Sequence, residues 1–121
     1  MLKRITGLTA VVLVLLVGAM VAQADEVGAI RLDSNPAALA NVYRVEGGFS
    51  VWRWNAVAEQ GEFQFYVSHD ELEGVRELAM ANNENILVEQ NDDVSFWVLA
   101  SGEYQVNSPM IDGLTYAFVF N

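Results

Sequence analysis

The sequence predicts a mainly β fold, either an antiparallel sandwich or an α+β meander, with one short helix near residues 69–82. Three observations carry that prediction. Short stretches of alternating apolar and polar residues recur along the chain, separated by Gly, Asn, Asp and Ser. One stretch, after Ser68, changes to helical spacing. The chain has no cysteine although 53% of its residues are hydrophobic, so packing rather than a disulfide framework must hold it together. A single helix also excludes a doubly wound parallel sheet.

Residues 1–24 have the form of a secretory signal peptide. Lys3 and Arg4 make a positive start, and Ile5 to Val21 is uncharged and dominated by Val, Leu and Ala. Ala22-Gln23-Ala24 then places small residues where signal peptidase cuts. The apolar run is about long enough to span a bilayer, but the small-residue site just before Asp25-Glu26 favours cleavage. Cleavage leaves residues 25–121 as one small β-rich domain, periplasmic or extracellular, with no membrane attachment. It also removes Lys3, the only lysine, and Arg4. Arg31, Arg44, Arg53 and Arg76 then face all 16 acidic residues, and the net charge moves from −10 to −12. Such a field repels nucleic acid and anionic headgroups and suits a basic protein partner.

The expected strands are, in order, Val27–Asp33, Asn41–Glu46, Phe49–Ala58, Glu62–Ser68, Asn85–Gln90, Val94–Ala100, Glu103–Asn107 and Leu114–Phe120. Gly47-Gly48 is the best hairpin signal, a two-residue loop able to take positive φ. Glu59-Gln60-Gly61 fits a three-residue loop with glycine at the left-handed position. Ser101-Gly102 is a weaker turn and Asn91-Asp92-Asp93 a polar one. Between strands, Ser68-His69-Asp70-Glu71 has capping-box spacing. Leu72, Val75, Leu78 and Ala79 form an apolar stripe behind it, and Asn82-Asn83 supplies a stop.

With Gly47-Gly48 as the turn, Tyr43 opposes Trp52. Alternation then gathers Tyr43, Val45, Ser50, Trp52 and Trp54 on one face. A three-residue loop at 59–61 brings Tyr66 opposite Trp54 with Gln64 and Ser68, whereas a two-residue loop would flip the 62–68 strand and put Phe63 and Phe65 beside the tryptophans. The other face collects Val42, Phe49, Val51, Val57, Phe63, Phe65 and Val67, interrupted by Arg44, Arg53 and Asn55. The Phe/Val face suits a core. The Trp/Tyr face mixes rings that carry polar edges with Ser and Gln, as recognition surfaces do. Trp52 and Trp54 lie about 7 Å apart on it, so the alternatives are buried packing and a binding platform.

Catalytic chemistry finds little support. His69 is the only histidine, and in Ser68-His69-Asp70 neighbouring side chains diverge, so the capping role explains these residues better than a triad. There is no cysteine nucleophile and no phosphate-cradling glycine loop, and no cofactor is expected. His69, Asp70 and Glu73 on the helix, or Asp92 and Asp93 in their turn, offer partial ligand sets short of a metal site. Leu32-Asp33-Ser34-Asn35-Pro36-Ala37-Ala38 resembles the Asn-Pro loop of chagasin-type cysteine-protease inhibitors, which are small disulfide-free β-sandwiches. Leu39-Ala40 replaces that family's Gly-aromatic pair, and Ser108-Pro109 stands where an Arg-Pro-aromatic loop would. Asn35-Pro36 is therefore taken as a turn, with a helical turn starting at Pro36.

The expectation is an exported, non-enzymatic domain that recognises a protein partner of inhibitor, immunity or envelope-assembly type. Tyr43, Trp52, Arg53, Trp54 and Tyr66 are its candidate partner-binding residues. Carbohydrate binding on the Trp/Tyr face is one alternative. Self-association through the terminal strand, with Tyr116, Phe118 and Phe120 on one face, is the other.

Overall fold

Each alternating stretch forms a strand in the computed structural model, which describes residues 25–32, 35–111 and 113–121. The candidate export signal at 1–24 lies outside the described residues. The strands are β1 (Asp25–Leu32), β2 (Asn35–Val45), β3 (Gly48–Asn55) and β4 (Gln60–Ser68), then β5 (Ile86–Gln90), β6 (Ser95–Val98), β7 (Tyr104–Asn107) and β8 (Ala117–Phe120). The helix α1 (His69–Asn82) separates the two groups. The result is two four-stranded antiparallel meanders, β1-β2-β3-β4 and β5-β6-β7-β8.

Helix α1 starts and stops where its sequence signals stand. Ser68 is extended (φ −84, ψ 150) and its hydroxyl accepts from the Glu71 amide at 3.1 Å. Asn83 takes the left-handed conformation (φ 55), and the amides of Asn83 and Glu84 bond back to the carbonyls of Met80 and Ala79 in the Schellman pattern. Leu72 and Ala79 are buried and Val75 is half-buried. Leu78, expected in the same stripe, is 57% exposed, because the helix buries only a narrow strip against the sheets.

One core joins the two sheets and the helix. Val42, Phe49, Val51 and Val67 come from the first sheet, Phe96, Val98 and Val106 from the second, and Leu72 and Ala79 from α1. Phe49 is its centre, with ring centroids 6.0 Å from Phe96, 5.6 Å from Tyr104 and 5.3 Å from Phe120. The rings meet mostly edge to face, the arrangement aromatic quadrupoles favour. At the β1 and β8 edges the sheets come so close that a Cβ on Gly28 would strike the Phe118 ring.

The arginines that interrupt the core face in sequence lie at the rim of the sandwich. Arg44 sets its guanidinium 4.9 Å from the Phe49 ring centroid and donates to the main-chain oxygen of Asn121 at 3.2 Å. Arg53 reaches Glu62 at 4.0 Å and Asp93 at 3.6 Å, tying β3 to the β5–β6 turn. At the other end Arg76 donates to the Gly102 carbonyl at 2.9 Å, fastening α1 to the β6–β7 turn.

Local details differ from the sequence expectation. Strand β2 spans Pro36 to Leu39, where a turn and a helical start were expected, with Ala38 paired to Arg31 and Asn35 to Leu32 in an irregular register. The first hairpin turns on Glu46-Gly47, so Val45 faces Gly48 and Tyr43 faces Ser50 rather than Trp52. That two-residue shift is even, so each side chain keeps its face. Gly47 carries the positive φ (80°), while Gly48 is in strand, where a Cβ would overlap the Val67 carbonyl oxygen.

The second hairpin is pinned by Asn55. Its Oδ1 accepts from the Val57 and Ala58 amides, each at 3.0 Å, and Asn55 pairs with Gln60. Glu59, not Gly61, takes the left-handed conformation (φ 54), and Val57 stands at the tip, 96% exposed, instead of in the core. The β6–β7 loop is a turn with the Gly102 amide bonded to the Leu99 carbonyl at 2.8 Å and Gly102 at φ 92. The Phe118–Phe120 side of the terminal strand, expected to be sticky, packs against the core.

Candidate binding face

The outer face of the first sheet is built by alternation along β2, β3 and β4. Val42, Phe49, Val51 and Val67 point into the core, so Tyr43, Ser50, Trp52, Trp54 and Tyr66 point away from it. Ser50 sits between Tyr43 on β2 and Tyr66 on β4, and Trp52 between Asn41 and Phe63.

A bulge decides which rings meet. Val51 pairs with Phe65 but Trp52 pairs with Phe63, leaving Gln64 as the extra residue on β4. This puts Phe63 on the tryptophan side, although simple alternation assigns it to the core. Gln64 donates to the Glu62 carbonyl at 3.0 Å and accepts from Asn91 Nδ2 at 2.8 Å. A lone glutamine within an alternating run carries no sequence signal for a bulge, so the sequence offered Phe63 beside the tryptophans only through a flip of the whole strand, whereas the bulge moves Phe63 there and leaves Phe65 against the core.

Trp52 is the floor of this face rather than its surface. It is 3% exposed, its indole N–H donates to Ser50 Oγ at 3.1 Å, and the Phe63 ring stands edge-on to it at 5.5 Å. Trp54 is half-buried opposite Gly61, about 13 Å along the strand from the Ser50–Tyr66 pair. Trp52, Trp54 and Tyr66 therefore do not form one row of open rings. The open rings are Phe63, 49% exposed, and Tyr66, 46% exposed.

Carboxylates border Tyr66. The Tyr66 hydroxyl donates to the Glu46 carbonyl at 3.3 Å, and partial burial raises its pKa above the usual 10.0, with Asp70 and Glu46 adding to the rise. Tyr43 is raised likewise, by burial first and then by Glu26, with Arg31 opposing. Arg53 belongs elsewhere: it projects from the opposite side of β3 into its ion pairs with Glu62 and Asp93.

Ser68 and His69 have structural roles. His69 packs its ring edge against Phe49 at 5.2 Å and Ser68 caps α1. In the polar turn Asn91 Oδ1 accepts from the Asp93 and Val94 amides, each at 2.9 Å. Among the described residues no three His, Asp or Glu side chains converge as a metal site, and no helix is long and apolar enough to cross a membrane. Comparison with protein-family models, curated proteins and solved structures finds no match to this chain.

Proposed function

We propose that this chain is an exported, non-enzymatic binding domain that recognises a basic protein partner through the Phe63–Tyr66 ring pair. The observation that carries the reading is that pair of half-exposed rings on one face, Phe63 standing edge to face with buried Trp52 and Tyr66 bordered by Asp70 and Glu46. Aromatic side chains are enriched among the residues that dominate interface energy, and a rigid support lowers the entropy lost on binding. The chain's net charge of −10 steers a cationic partner and repels an anionic one. Tyr43 extends the patch on the β2 side, while Arg53 lies outside it.

The test is capture of a partner from cell-envelope extract on the immobilised chain, repeated with Phe63→Ala/Tyr66→Ala and with Leu78→Ala as a surface control. A captured protein that is lost in the double variant, kept in the control and released by raised salt supports the reading. Equal capture by the folded double variant overturns it.

A further inference from the structure

Three segments distant in the chain meet around the Tyr66 ring. Its phenol end lies against the first hairpin turn, where a Cβ on Gly47 would come 2.9 Å from the hydroxyl and one on Gly48 3.0 Å from Cζ. The hydroxyl donates to the Glu46 carbonyl at 3.3 Å. The His69 amide donates to the Gly47 carbonyl at 2.8 Å, docking the first turn of α1 on the same hairpin and setting Asp70 near the phenol. The ring thus rests on backbone that carries no side chain, and the 46% of Tyr66 that stays exposed lies away from it.

The charge around this ring is one-sided. Asp70 and Glu46 are exposed, and they are the charged groups that act most on the phenol, both raising its pKa. Among the described residues neither carboxylate is ion-paired. At Tyr43, by contrast, Arg31 opposes Glu26, whose carboxylate also accepts from Asn41 Nδ2 at 2.6 Å. A ring, a cation and an oxygen acceptor do come together elsewhere in the chain. Arg44 sets its guanidinium 4.9 Å from the Phe49 ring centroid while its Nη2 donates to the Asn121 main-chain oxygen at 3.2 Å. Around Tyr66 the ring and the acceptors are present and the cation is the missing member.

Resting on the protein-partner reading of this face, we propose that the open side of Tyr66 receives the guanidinium of an arginine side chain of the partner, stacked on the ring with its N–H groups directed to the Glu46 and Asp70 carboxylates. Charge complementarity selects a cation, and its shape selects arginine. A guanidinium is planar and weakly hydrated, so its face can stack while its edge donates, and ring and carboxylates are met at once. A lysine ammonium is a compact, strongly hydrated charge with no plane to stack. A metal ion lacks a ligand set here, since no three His, Asp or Glu side chains converge among the described residues.

Aromatic-region NMR titration of the folded chain with acetyl-tetraarginine amide and with acetyl-tetralysine amide, equal in charge, tests this. The arginine peptide should shift the Tyr66 ring signals saturably and bind more tightly than the lysine peptide. Tyr66→Leu keeps an apolar side chain without a π face and should weaken the arginine peptide about twofold to fivefold. Glu46→Gln/Asp70→Asn should weaken both peptides. If Tyr66→Leu does not fold, the position of the shifts in the parent chain decides. Equal binding of the two peptides, or shifts that spare Tyr66, overturns the arginine assignment and leaves the basic-partner reading standing, because diffuse charge attraction is enough for that. Failure of the reading itself shows separately, as equal partner capture by Phe63→Ala/Tyr66→Ala. Shifts at Tyr66 that follow the chain's own concentration without peptide would put a second copy's arginine there and overturn the assignment as well.

Discussion

The Trp52 indole N–H and the Ser50 hydroxyl form a buried hydrogen bond of 3.1 Å, with the two residues 3% and 2% exposed. Trp97 and Ser95 repeat it in the other sheet at 3.0 Å, but half-buried. Removing the acceptor therefore has unequal consequences. Ser50→Ala leaves a buried donor unsatisfied and should cost about 1–3 kcal/mol. Ser95→Ala should cost less than about 1 kcal/mol, since water can take the hydroxyl's place. Denaturant midpoints with unchanged slopes measure both, and equal costs would contradict the difference in burial.

Phe49 and Phe63 make a second unequal pair. Phe49 is 1% exposed and meets four rings, those of Phe96, Tyr104, Phe120 and His69. Phe49→Ala should cost about 3–5 kcal/mol, a large part of the stability of a domain this small. Phe63→Ala loses one edge contact from a half-exposed position and should cost about 1 kcal/mol. Chemical denaturation of the two variants separates them, and a Phe63→Ala variant as unstable as Phe49→Ala would place Phe63 in the core.

At the tip of the second hairpin, Glu59 holds a left-handed conformation at φ 54 and is exposed. A side chain there costs about 1–2 kcal/mol, which glycine avoids at a smaller entropic cost. Glu59→Gly should raise stability by about 0.5 kcal/mol and Glu59→Val should lower it, in thermal melts. At Gly48 the opposite holds, because Gly48→Ala drives a Cβ into the Val67 carbonyl oxygen. That variant should be severely destabilised.

Burial raises the pKa of Tyr43 and of Tyr66 above 10.0, with Glu26 adding at the first and Asp70 and Glu46 at the second. A raised pKa means that the folded protein holds the phenol proton more tightly than the unfolded chain does. The associated stability is complete below pH 10.0 and is lost as pH rises through the folded pKa values. Stability measured as a function of pH should therefore fall on the alkaline side, and Tyr43→Phe/Tyr66→Phe should make that fall shallower. An unchanged slope in the double variant would show that other groups cause it.

Much of the architecture was legible from residues close together in sequence. The alternating stretches marked every strand, and Ser68, Glu71 and Asn83 marked the ends of α1, because alternation and capping are local properties of the backbone. The parity of β2 and β3 was also legible: Tyr43, Ser50, Trp52 and Trp54 share a face even though the turn sits at Glu46-Gly47. The candidate site was legible only in part. Tyr66 belongs to the exposed patch, but Trp52 lies beneath it, Trp54 lies further along the strand, and Arg53 faces the other way.

By itself, then, the sequence determined the strands, the helix with its caps, the acidic charge, and which residues share a face within a continuous alternating run. Tertiary structure decided the Gln64 bulge that moves Phe63 beside Trp52, the rim positions of Arg44 and Arg53, and the alignment of Leu87, Trp97, Gln105 and Val119 across four strands. The physical reason is range. Alternation is set by each residue's own backbone, whereas bulges, cross-strand rows and burial follow from contacts between segments distant in the chain, and these form only when the two sheets close on one core.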